Sequence, residues 1–228
     1  YASGLEGGGV LSVCKHFPGH GDTAEDSHYT LPAVHHDRAR LDSVELLPFK
    51  RYIYDGYAGV MTGHLYVPAL DKARNKPVSM SRAVVTDLLQ KELGFRGLCF
   101  TDALAMKGAT TRKSDNPSVM ALLAGNDILL APTAPINDFA AVKEALEEGI
   151  LDREEIEAKI IKILQYKYIA GLNDYRPVET KGLSERLNSP HAAWLAAKLN
   201  EEAITLLKNE GDIIPLKQLD KKKIAALS

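Results

Sequence analysis

Cysteine is scarce in this chain: Cys14 and Cys99 are the only two in 228 residues. Two thiols set among apolar neighbours exclude a disulfide scaffold and cannot assemble a thiolate metal site, so buried free thiols are the expectation. A basic excess is lacking too. The 28 Lys and Arg residues stand against 30 Asp and Glu, a formal net charge of −2. That leaves nothing to neutralise a phosphate backbone and argues against a nucleic-acid partner. No apolar run approaches the roughly 18 residues of a membrane span. Internal repeats and low-complexity tracts are also missing, which sets repeat architectures aside. The opening residues, YASGLEGGG, lack the charged-then-apolar layout of a signal peptide. What is present is ordinary globular material, 45% hydrophobic and 25% charged, in a length that suits one large domain or two small ones.

Four short runs rich in Val, Leu, Ile and Phe read as buried strands, over residues 10–15, 57–62, 97–101 and 127–131. They lack strict alternation, as parallel strands covered on both faces do. Helical patterns lie between them. Residues 44–54 carry Pro48 in the first turn or at a kink. Ser81 is placed to cap a helix bearing Val84, Val85, Leu88, Leu89 and Leu93, with Gly94 past its end. Residues 117–124 end at Gly125, and 138–148 stop at Gly149. Asp152 and Glu155 have capping-box spacing ahead of an apolar face of Ile156, Ile160, Ile163, Leu164 and Tyr168, closed by Gly171. Strand–helix units of this size predict a parallel α/β architecture. A polar, turn-rich linker follows over residues 173–190, then a helix near 190–200 and a strand just beginning at 221–228. Both ends read as cuts inside domains.

Polar residues gather where the predicted strands stop, which is where parallel α/β folds carry their chemistry. The first strand runs into Lys15 and His16, then His20 and Asp22, then Asp26 and His28; the second ends at His64 and the third at Asp102. Competing readings are structural. His16 and His20 could tie down the Pro18-Gly19 turn, Asp102 could cap the next turn, and Asp22 and Asp26 could make Asx-turns. A cation site built from His16, His20, Asp22 and His28 is disfavoured, because the intervening glycines and proline break any i, i+4 arrangement.

The segment KHFPGHGDTAEDSH (residues 15–28) closely resembles the signature of family 3 glycoside hydrolases, in the β-N-acetylglucosaminidase branch. The resemblance continues in order through LDSVELLPF, VMTGHLYVPALD, PVSMSRAVVTDLLQKELGFRG, LCFTDALAMKGA and AGNDILLAP, and more weakly to AITLLKNEGDIIPL. It implies strands five to eight of a (β/α)8 barrel over residues 1–171, a linker and connecting helix over 172–202, and the entry to an αβα-sandwich domain over 203–228. It implies Asp102 as nucleophile, His28 as acid/base with Asp26 beside it, and Lys15, His16 and His64 as sugar contacts. Relatives with a second Asp after the nucleophile differ here, where Ala103 stands. The family's sugar-gripping Asp and Arg on earlier strands have no counterpart in these residues.

The chemistry is sensible for those roles. A retaining glycosidase needs a carboxylate to form a glycosyl-enzyme and a second group to protonate the leaving oxygen. Imidazole titrates near pH 6.5 and can give and recover a proton at neutral pH. The expectation is therefore a retaining hydrolase of terminal β-linked N-acetylglucosamine, plausibly on peptidoglycan fragments, without cofactor or metal. Its partners would be an N-acetylglucosamine-containing glycan or muropeptide, and either the missing N-terminal half of the barrel or a second copy of the chain. Alternatives are a phosphorylase using the same residues and a catalytically silent sugar-binding protein. Analogy with relatives leans towards the cell envelope over the cytoplasm.

Overall fold

Three of the apolar runs pair into one parallel sheet: β1 (Val13–Phe17), β2 (Gly59–Thr62) and β3 (Leu98–Thr101), in the order β1–β2–β3. The computed structural model describes residues 1–27, 29–109, 115–218 and 221. His28 and nearly all of the strand predicted at 221–228 therefore lie outside the described residues. The chain divides into two units, Tyr1–Tyr175 and Arg176–Ser228.

Within the first unit, β2 is central and buried along its length except at Met61, as expected for a strand covered on both faces. β1 behaves differently: Val13 and Lys15 are exposed, and only Phe17 is fully buried. It starts three residues later than the sequence suggests, because a short helix, α1 (Ala2–Gly7), and the left-handed Gly9 occupy the approach. The pairing of β1 with β2 slips between Cys14 and Phe17, at Lys15 and His16. Such an irregularity turns side chains away from the strict alternation of a strand.

The fourth predicted strand is a correction. Residues 127–131 run parallel to β3 and form no regular strand: the formal pairing is one isolated bridge, Phe100 to Ile128, with backbone bonds from Ile128 N–H to the Cys99 carbonyl and from Thr101 N–H to the Ile128 carbonyl, each at 3.0 Å. Side chains add to these backbone bonds. The Asp127 carboxylate accepts the Cys99 N–H at 2.8 Å, and the Thr101 hydroxyl accepts the Leu130 N–H at 3.0 Å.

Helices α2 (Leu47–Tyr54) and α3 (Ala83–Glu92) cover the sheet. Leu46, Phe49, Val84, Val85 and Leu89 join Phe17, Val60 and Cys99 in the main core. Fully burying a side chain such as Leu89 contributes about 1.5–3 kcal/mol. Ser81 does not cap α3: its hydroxyl bonds Asp71 Oδ2 at 2.5 Å, while Gly94 closes the helix with φ near 75°. α4 (Pro117–Ala124) is capped by Asn116, which accepts the N–H groups of Ser118 and Val119. α5 (Pro135–Glu147) and α6 (Arg153–Ile169) follow, the latter capped by Asp152 as the spacing predicts. No residue of α6 is buried, and Ile160, Leu164 and Tyr168 on its predicted apolar face are 50%, 57% and 68% exposed.

The second unit holds α7 (Leu183–Leu187) and α8 (Pro190–Ala203), with Ser189 capping α8. Its described residues include none that is buried. No described helix is long and apolar enough to cross a membrane.

Candidate active site

Two neighbouring strand ends deliver the first pair of groups. β3 ends at Thr101, and the Asp102 N–H donates to the Thr62 carbonyl of β2 at 2.9 Å, so the sheet's last bond fixes the residue. Its side chain is then divided between two tasks. Oδ1 accepts the Ala103 N–H at 2.8 Å, while Oδ2 faces His16 Nε2 at 3.5 Å. Asp102 is 9% exposed, so the carboxylate is nearly enclosed without being sealed off. Burial lowers the pKa of His16, and the Asp102 charge opposes that shift. Lys15, next to it, is exposed.

The long loop after β1 is tied down at several points. Val34 N–H donates to the Tyr66 carbonyl and Tyr66 N–H to the Pro32 carbonyl, a two-residue ladder onto the loop after β2. Within it, His20 acts as a brace. The Thr23 hydroxyl proton goes to the His20 carbonyl at 3.0 Å, so His20 Nδ1–H must donate to Thr23 at 2.7 Å. Nε2 lies 3.1 Å from the Ser27 hydroxyl. His20 thus braces the loop through Thr23 and Ser27, downstream of the Pro18-Gly19 turn it was expected to tie down. Asp26, on the same loop, is exposed, and its carbonyl accepts the N–H groups of Tyr29 and Thr30. This loop rests on the segment that follows Asp102: Gly108 N–H meets the Ser27 carbonyl at 3.3 Å. A Cβ at Gly108 would lie 2.9 Å from the Ser27 and Thr30 carbonyls and 3.0 Å from His64 Cβ, so only glycine permits this approach.

His64 departs from expectation. The ring is wholly buried, and both nitrogens are engaged by protein: Nδ1 with the Ser79 hydroxyl at 2.8 Å and Nε2 with the Ala103 carbonyl at 3.1 Å. No atom is left to touch a sugar, so the predicted contact role is corrected. Behind it stands Asn126, which the sequence reading did not single out although it lies in the AGND block. Its Nδ2 donates to the Ser79 and Ala121 carbonyls at 2.7 and 2.8 Å, and its Oδ1 accepts from the Thr62 hydroxyl at 2.9 Å. Thr62, His64, Ser79 and Asn126 thus form one buried, satisfied network.

A cavity of about 330 Å³ opens beside His16, lined among others by Lys15, His20, Asp22, Arg40 and Glu45. Asp22, His36 and Glu45 bring possible ligand atoms within 4.8 Å of one another. Arg40 already supplies the cation there, its Nη2 lying 3.1 Å from Glu45 Oε1 and 3.8 Å from Asp22 Oδ2. His36 Nε2 lies 2.6 Å from the same Asp22 oxygen, so these side chains pair among themselves within the loop.

Residues 1–166 match the family model described as the glycosyl hydrolase family 3 N-terminal domain. β-Hexosaminidase A of Pseudoalteromonas piscicida is 36% identical over 93% of the chain and 38% of its own length. The solved structure of a family 3 β-N-acetylglucosaminidase from a Paenibacillus species superposes with a TM-score of 0.83 at 35% identity, covering 92% of this chain and 40% of that one. A β-glucoside phosphorylase, BglX, superposes at 0.84 with 26% identity, covering 93% and 40%. The chain thus spans about two fifths of the length of these relatives.

Proposed function

This chain belongs to glycoside hydrolase family 3, and from that we propose that the full-length protein removes terminal β-linked N-acetylglucosamine with retention of configuration. The observation that carries the reading is the Asp102 carboxylate, held at Oδ1 by the Ala103 N–H and presenting Oδ2 beside His16 at the sheet's carboxyl end. The relatives named β-hexosaminidase and β-N-acetylglucosaminidase support the sugar specificity.

In the first step Asp102 Oδ2 attacks the anomeric carbon while the glycosidic C–O bond breaks and protonated His28 gives its proton to the leaving oxygen. In the second, neutral His28 takes a proton from water, the water oxygen bonds the anomeric carbon, and the Asp102 carboxylate is released. Asp26, two residues before His28, orients the imidazole and favours its charged form. Lys15 and His16 hold sugar hydroxyls. In this reading the described sheet and residues 127–131 are strands five to eight of a (β/α)8 barrel, and the substrate is a glycan or muropeptide fragment.

The likeness to a β-glucoside phosphorylase favours a second reading, in which phosphate replaces water. A neutral imidazole does not repel that anion as a carboxylate would. Incubating the full-length protein with an aryl β-N-acetylglucosaminide, with and without phosphate, separates the two. The aryl alcohol is released either way; free N-acetylglucosamine as the sole sugar product supports hydrolysis, a sugar 1-phosphate supports phosphorolysis, and no turnover removes both.

A further inference from the structure

We propose that His64 is a positioning residue for the nucleophile: as an Nε2–H imidazole backed by Ser79, it grips the Ala103 carbonyl and thereby fixes the turn that aims Asp102. The inference rests on the reading of Asp102 as nucleophile.

The hydrogen-bond inventory decides the protonation pattern. A carbonyl oxygen can only accept, so the 3.1 Å contact with Ala103 requires a proton on Nε2. In the neutral ring that burial favours, Nδ1, 2.8 Å from the Ser79 hydroxyl, is the acceptor. Burial supports this by lowering the pKa of His64, against the smaller opposing pulls of the Ala103 carbonyl and the Asp102 charge. Ser79 is itself immobilised, since its carbonyl accepts from Asn126 at 2.7 Å and its side chain is fully buried.

Ala103 is consequently held on both sides. Its N–H is bound by Asp102 Oδ1 and its C=O by His64 Nε2. Rotation of this residue would carry the N–H away from Oδ1 and free the carboxylate to turn. A nucleophile displaced by about 1 Å loses on the order of 10² in rate. A charged donor in the same place would hold the turn equally well but would stabilise the Asp102 anion and weaken it as a nucleophile. A neutral donor holds the geometry without that effect.

The test compares His64→Gln with His64→Asn in the full-length protein. Gln places an amide N–H near the Nε2 position, whereas the Asn amide is one methylene shorter and ends near Nδ1, out of reach of the Ala103 carbonyl. With 4-nitrophenyl β-N-acetylglucosaminide, His64→Asn is expected to lose about 10²-fold in kcat with KM nearly unchanged, and His64→Gln to recover most of it. A raised KM with kcat intact would make His64 a sugar contact and overturn the proposal. So would equal loss in both variants in step with falling Tm. A second measurement is independent of turnover. ¹⁵N NMR of the labelled wild-type protein should show an Nε2–H tautomer that takes up no proton between pH 8 and pH 6. An Nδ1–H tautomer, or protonation near pH 6.5, overturns the assignment even if the glycosidase reading stands. Absence of wild-type turnover, with the expected tautomer, overturns the functional reading and with it the nucleophile-aiming role.

Discussion

The two oxygens of Asp102 have different fates, and that difference sets what substitutions should do. Asn at this position keeps the volume and the Ala103 contact but cannot attack an anomeric carbon. Asp102→Asn is expected to abolish turnover while sugar affinity stays near wild type. Residual turnover within about tenfold, only ~1.4 kcal/mol of barrier, would remove Asp102 from the role. His28→Ala should cost on the order of 10²–10⁴-fold with natural glycosides and far less with activated aryl leaving groups, which need no proton. Equal losses would make His28 a binding residue. The buried histidines also bear on stability against pH. His64 and His16 both have lowered pKa values in the folded chain, chiefly through desolvation. Above the ordinary value near 6.5 neither folded nor unfolded form binds the proton; below it the unfolded form does so first. Stability therefore falls as pH drops below about 6.5, by at most ~1.4 kcal/mol per pH unit for each group. His64→Gln should make that fall shallower in urea titrations, and an unchanged slope would mean that His64 already carries its proton.

Between residues and fold, the elements show which signals a sequence carries and which it cannot. Caps and closing glycines were legible: Asp152 caps α6, and Gly94, Gly125 and Gly149 stand at positive φ past helix ends. Their effects are local, so spacing alone reveals them. Residues 127–131 were legible as an apolar run but not as an interrupted pairing, because Asp127 and Thr101 supply side-chain partners from 28 and 29 residues away. Ser81 misled for the same reason, its hydroxyl being drawn to Asp71. At the site, strand ends marked His16 and Asp102 correctly as neighbours. Nothing in spacing could tell that His64 would be consumed by Ser79 and Ala103. Asp127 also carries a prediction. Its fully buried carboxylate lies 3.0 Å from Lys162 and 3.9 Å from Lys159, and burial lowers the Lys159 pKa. Asp127→Ala leaves two half-buried lysines without their carboxylate and the Cys99 N–H without its acceptor, and should cost roughly 1–3 kcal/mol in urea unfolding of the full-length protein. A loss below about 1 kcal/mol would mean that both ammonium groups reach water instead.

At the scale of the whole molecule, the half-barrel reading makes a demand on this chain by itself. Three strands and a bridged segment cannot close a barrel of eight, and among the described residues β1 pairs along one edge only, with β2. Ile160, Leu164 and Tyr168 of α6 are exposed, as are Ile136 and Phe139 of α5. Apolar surface of that extent drives association. Expressed alone, the 228-residue chain is therefore expected to form oligomers or aggregates by light scattering and to leave an aryl β-N-acetylglucosaminide intact. Co-expression with the N-terminal half of a family 3 barrel should lower the scattering mass to that of a one-to-one complex, because the same edges and faces would then be covered. A stable monomer that hydrolyses the glycoside would sink the half-barrel reading. It would mean that three strands and their loops already hold every group the sugar needs, and that the exposed face of α6 is surface the fold tolerates in water.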